Sequence, residues 1–212
     1  MNMQNIGDNQ VYNSVDEIID PSHTALVVWD VQNMLVNRIF NKDEFTTKIK
    51  SVIGLGRKSN VPIFFTRIQR LPPHFDSPAR IYAFSKLGFD RLQQPTEEDI
   101  AFAIKPELNE IILDKYSGSI FIGTIFEQML RNAGIVTIVF TGIATEFGIE
   151  SCARDAFNRG FYPVVISDCV SSPDKMGHER SLENMKKLVT IINSTNIENY
   201  WTSISNNNDL RH

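Results

Sequence analysis

Two cysteines in 212 residues are too few for a disulfide framework or a cysteine-rich zinc site, so burial of apolar surface has to hold this chain together. Long hydrophobic runs are also missing: nothing approaches the ~20 apolar residues that a membrane-spanning helix needs. The polar opening MNMQNIGDNQVYNS has neither the basic start nor the apolar centre of a secretion signal. These absences predict a cytoplasmic protein with two free thiols, Cys152 and Cys169, and no membrane partner. A basic excess is lacking too, since the net charge is -4, and no nucleic-acid partner is expected where a phosphate backbone would be repelled.

What is present is a globular composition, 42% hydrophobic and 22% charged, in a length that suits one domain over residues 1–212. Its core is expected over about residues 20–195, after a polar N-terminal extension and before a disordered C-terminal tail, SNNNDLRH. Apolar runs recur as TALVVW (24–29), VPIFFT (61–66), EIILD (110–114), IVTIVF (135–140), YPVVIS (162–167) and LVTIIN (188–193). They do not alternate with polar residues, which is how strands buried on both faces of a parallel sheet read. Amphipathic stretches fall between them near 43–59, 121–133, 146–159 and 176–187, with Gly134 and Gly160 placed to stop helices. The alternation predicts an α/β fold, a three-layer αβα sandwich around a mainly parallel, Rossmann-like sheet of about six strands. The stretch from Leu71 to Thr96, rich in proline and aromatics, breaks this rhythm and reads as a lid or a partner surface.

Ligands of open α/β sheets bind beyond the carboxyl ends of the strands, and here those ends are polar: Asp30, Arg67, Asp114 with Lys115, Thr141 with Gly142, and Asp168. A carboxylate at the dry end of a buried strand is a candidate acid or base, and Asp30 is equally placed to cap the helix that VQNML would form. Lys115 is either a solvated strand-end charge or the partner that tunes Asp30. The turn GIATEFG after the fourth strand is either a cradle of backbone amides for an anion or an ordinary connection with Thr145 as N-cap. Glu146 could activate water or only complement the helix dipole.

Taken in order, VVWDVQNML, LDKYSGSIFIGT, TGIATEFGIESCARDAFNRGF and the later DCVSS with His178 closely resemble the isochorismatase-like hydrolase superfamily, which includes the cysteine hydrolases. The likeness spans roughly residues 20–195 and implies hydrolysis of a small molecule, with Asp30 and Lys115 as the acid-base pair. It places the cysteine hydrolases' attacking thiol on Gly148, with a non-proline cis peptide near Ile143–Ala144. Isochorismatases proper also lack that cysteine and use the aspartate to protonate a vinyl ether, so that water adds and pyruvate leaves. The resemblance further implies a homo-oligomer, dimer or tetramer.

Substrate binding is expected from Ile143, Ala144, Thr145 and Phe147 in the turn and from Arg67 and Gln69 after the second strand. Arg80, Phe75, Tyr82 and Phe84 are further candidates for the pocket, or for lid packing. Nicotinamidases of this superfamily bind a metal after the second strand; here TRIQRLPPHF offers a lone His74, so no metal and no cofactor are expected. Two other readings remain: a non-catalytic member that binds a small molecule, and an amidase using Cys152. The latter thiol lies one helical turn, about 6 Å, past Gly148, where little of the N-terminal help that activates cysteine reaches it.

Overall fold

The first apolar run, TALVVW, forms a strand with all six residues buried, as its lack of alternation requires. A computed structural model describes residues 4–87 and 94–209. In chain order its first half contains a hairpin of β1 (Gln4–Ile6) and β2 (Asn9–Val11), then α1 (Val15–Ile18), β3 (Thr24–Trp29), α2 (Asn33–Val36), α3 (Lys42–Lys58), β4 (Ile63–Ile68), α4 (Pro78–Lys86) and α5 (Glu97–Ile100). There follow β5 (Ile111–Lys115), α6 (Phe126–Asn132), β6 (Thr137–Ile143), α7 (Glu150–Asn158), β7 (Tyr162–Ser171), α8 (Lys175–Met185), β8 (Thr190–Ile192) and α9 (Ser194–Asp209).

The main sheet has six strands in the order β5-β4-β3-β6-β7-β8, and every neighbouring pair is parallel. The chain lays β3, β4 and β5 outward in one direction, then returns to set β6 on the other flank of β3. The sheet therefore changes direction between β3 and β6, and its crevice opens at their carboxyl ends. Side-chain alternation along β3 divides the core. Leu26 and Val28 join Phe45, Ile49, Ile53 and Trp201 on one face. Ala25, Val27 and Trp29 join Phe126, Leu130, Ala153 and Met185 on the other.

The chain departs from expectation at several boundaries. The last helix, α9, runs to Asp209, and Ile197 and Trp201 in it are fully buried, one helical turn apart on the face that meets α3. Residues 210–212 lie outside the described residues. The helix expected from residue 121 begins at Phe126, because Thr124 Oγ1 donates to Ile120 O and holds that segment as a turn. Asp168, expected at a strand end, lies inside β7, where its carboxylate accepts from Ser194 N and Ser194 Oγ, both at 2.7 Å. In the stretch from Leu71 to Thr96, Ser77 caps α4; residues 88–93 lie outside the described residues. Among the described residues no helix is long and apolar enough to cross a membrane.

Candidate active site

The last residue of β3, the end of β5 and the turn after β6 meet at the crevice. There β6 passes so close to β3 that only glycine fits at position 142: its φ is +117° and a Cβ would lie 2.0 Å from Trp29 O. The following Ile143–Ala144 peptide is cis, where the resemblance expects one. Thr145–Ile149 then form a short π-helical turn before α7.

Asp30 follows β3 in a left-handed conformation, φ 49°, and is 4% exposed. Its amide donates to Thr66 Oγ1 at 3.0 Å, and that hydroxyl donates back to Asp30 Oδ1 at 2.6 Å. Lys115 Nζ, 2% exposed as a residue, donates to Asp30 Oδ2 at 2.6 Å. The same ammonium lies 4.0 Å from the centroid of the Trp29 ring, a cation–π contact that fixes both groups. α2 takes Gln32 as its N-cap without a side-chain bond, so the Asp30 carboxylate is committed to Thr66 and Lys115 and does not cap. Burial raises the Asp30 carboxyl above the ordinary carboxylate range, and the Lys115 charge and the bonds from Lys115 and Thr66 reverse only part of that rise.

Asp30 and Lys115 open onto a cleft with a cavity volume of ≈ 200 Å³, whose walls include Trp29, Ile143, Ala144, Phe147 and Gly148. Arg38, Arg70, Arg80 and Phe84 also line it, and α4 delivers the last two of those, Arg80 and Phe84. Arg80 Nη1 donates to Tyr116 O at 2.5 Å. The structure carries Arg67 and Gln69 elsewhere: Arg67 faces Asp114 across the parallel β4–β5 register and holds it by two bonds, at 2.6 and 3.0 Å. Gln69 Nε2 donates to the same carboxylate at 3.1 Å. Phe75 and Tyr82 are exposed, at 68% and 62%.

Within the turn, the amides of Phe147 and Ile149 donate back to Ala144 O at 3.3 and 3.2 Å, so these two are not offered to a ligand. Thr145 is fully buried; its hydroxyl donates to Ser171 O at 3.2 Å and lies 2.8 Å from His178 Nδ1, and it caps no helix. Glu146 turns away from Asp30, accepting from Ser172 Oγ at 2.5 Å in a second hollow shared with Glu150, Asp174 and Arg180.

Neither thiol reaches the cleft. Cys152 is fully buried behind Ser119; its Sγ accepts from Ile120 N at 3.2 Å, and burial pushes the thiol up to about 12. Cys169 is likewise fully buried, and burial raises its thiol too. An amidase route through Cys152 has no accessible thiolate to start it. His74 lies against Phe75 with ring centroids 4.1 Å apart and the rings tilted by 44°, and among the described residues no three His, Cys, Asp or Glu side chains gather to hold a metal. The metal set of nicotinamidases therefore does not fit this site.

An isochorismatase domain matches residues 24–196. The chain is 31% identical over 170 residues to the isochorismatase family protein YwoC of Bacillus subtilis, covering 77% of this chain and 86% of that one. It is 23% identical over 175 residues to enterobactin synthase component B of Escherichia coli K12, covering 81% of this chain and 60% of that protein's length. The crystal structure of a cysteine hydrolase from Pseudomonas syringae pv. phaseolicola superposes with a TM-score of 0.77 at 19% identity, over 88% of this chain and 95% of that one. The chain belongs to the isochorismatase family of hydrolases.

Proposed function

We propose that the protein hydrolyses an anionic small molecule by acid catalysis from Asp30, without a covalent intermediate, and that a vinyl ether releasing pyruvate is the substrate type. The observation that carries this reading is the pairing of a buried Asp30, its pKa raised, with a cleft that no thiol reaches. Gly148 stands where cysteine hydrolases of this superfamily hold their nucleophile, and both cysteines of this chain lie buried away from it.

A raised pKa keeps Asp30 protonated to higher pH than an ordinary carboxyl, which a general acid requires. In the proposed reaction the Asp30 proton goes to the terminal carbon of the enol ether, and positive charge develops at the ether carbon. The carboxylate left behind is stabilised by Lys115 Nζ and Thr66 Oγ1. Water adds to the cationic carbon and gives up a proton to the Asp30 carboxylate, and the resulting hemiketal passes its hydroxyl proton to the ether oxygen as the C–O bond breaks, giving pyruvate and an alcohol. Arg38, Arg70 and Arg80 along the cleft supply the positive field that carboxylate groups seek.

Pyruvate release from isochorismate by the purified protein, with Asp30→Asn in parallel, tests this reading. Release that disappears in Asp30→Asn is the expected result. Release that persists in that variant contradicts Asp30 as the acid, and an absence of release from the unaltered protein contradicts the vinyl-ether assignment.

A further inference from the structure

Trp29 occupies the space into which a side chain on residue 148 would grow. A Cβ at Gly148 would lie 2.2 Å from Trp29 Nε1, 2.5 Å from Cε2 and 2.6 Å from Cζ2, so the N–H edge of the indole abuts the Gly148 backbone. The position follows from the strand: one residue before Asp30, side-chain alternation turns Trp29 toward the α7 face, and Lys115 Nζ over the ring holds it there. A buried indole N–H ordinarily finds an acceptor. Trp201 does so, donating to Ile19 O at 2.8 Å. Trp29, 1% exposed, donates to no acceptor among the described residues, and it lines the cleft.

We propose that Trp29 is a specificity-determining residue of this cleft: its indole N–H donates to a carboxylate or carbonyl oxygen of the substrate beside Asp30, and its bulk excludes any side chain at position 148. This rests on the cleft being the substrate site assigned above, but not on the reaction carried out there. Where a thiol at position 148 would form a bond to its substrate, this chain offers an uncharged donor that orients one. The donor suits an anion or a neutral oxygen and gives nothing to an ammonium group.

Two measurements free of turnover test the assignment. With two tryptophans in the chain, the 15N spectrum has two indole signals. The Trp29 signal should move when pyruvate or benzoate is added, while that of Trp201 stays still. Trp29→Phe, which keeps a ring but removes the donor, should weaken pyruvate or benzoate binding about tenfold to a hundredfold, the size of one hydrogen bond to a charged group. A Trp29 signal that neither carboxylate moves overturns the donor role. For the steric part, Gly148→Ala should lower Tm by itself, and Trp29→Val should relieve part of that loss, so that the double variant loses less than the sum of the two. Strict additivity, or a Gly148→Ala protein as stable as its parent, overturns it. Failure of isochorismate turnover would touch only the vinyl-ether reading and leave these outcomes unchanged.

Discussion

Replacing Lys115 with methionine keeps most of the stem and removes the charge that faces Asp30. The pair is almost wholly buried, with Nζ to Oδ2 at 2.6 Å and side-chain exposures of 1% and 6%, so water from the cleft replaces little of the lost partner. Removing one member of such a buried pair costs about 3–5 kcal/mol. In a chain of this size each kcal/mol lowers Tm by about 2–4 °C, so thermal denaturation at pH 8 should show a loss of about 6–20 °C. The loss should depend on pH, with a definite sign. Without Lys115, the Asp30 carboxyl of the folded state rises further above its unfolded value, because that charge had lowered it. A group raised in this way contributes stability below its unfolded pKa and loses it as pH rises through the folded one. Lys115→Met should therefore be nearly tolerated near pH 4 and progressively damaged toward pH 8, and Asp30→Asn added to it should restore part of the loss at pH 8. A pH-independent loss, or a double variant whose losses simply add, would refute the argument.

Thr66→Val should raise the Asp30 carboxyl further, since the Thr66 hydroxyl bond lowers it, and a 13C titration of the Asp30 carboxyl should register the upward move. Gly142→Ala should cost at least about 1–3 kcal/mol from the positive φ alone, with the 2.0 Å approach to Trp29 O adding to it; chemical denaturation measures the loss. Trp201→Ala should cost about 3–5 kcal/mol, by the same assay, because α9 is anchored by this fully buried ring. Cys152 should resist iodoacetamide in the native protein at pH 8 and react once unfolded, as a fully buried thiol pushed up to about 12 requires.

The sheet was legible because its central strands are buried on both faces and read as continuous apolar runs; TALVVW coincides with β3, and β6 is buried throughout. Helix ends were less legible where side chains redirect the backbone, as Thr124 does before α6. Ahead of the SNNNDLRH stretch, Ile197 and Trp201, spaced i, i+4, carry a helical signal that decides the packing of α9 and that the polar residues around them obscure. At the site, Asp30 and Lys115 were readable from their places at strand ends. Arg67 and Gln69 were equally well placed in sequence, but a parallel register sets Arg67 opposite Asp114, and the pairing takes both side chains away from the cleft. Arg38 and Arg70 line it instead, and nothing in their local pattern announces that. Trp29 drew no separate reading from the sequence, since its approach to Gly148 spans more than a hundred residues and exists only once β3 and β6 are paired.

The most direct test of acid catalysis without a thiol is isochorismate hydrolysis by a Cys152→Ala/Cys169→Ala protein, with and without Asp30→Asn. Pyruvate release that survives loss of both cysteines and vanishes with Asp30→Asn is the predicted result. Release lost with the cysteines in a folded protein, or retained without the Asp30 carboxyl, would contradict the account.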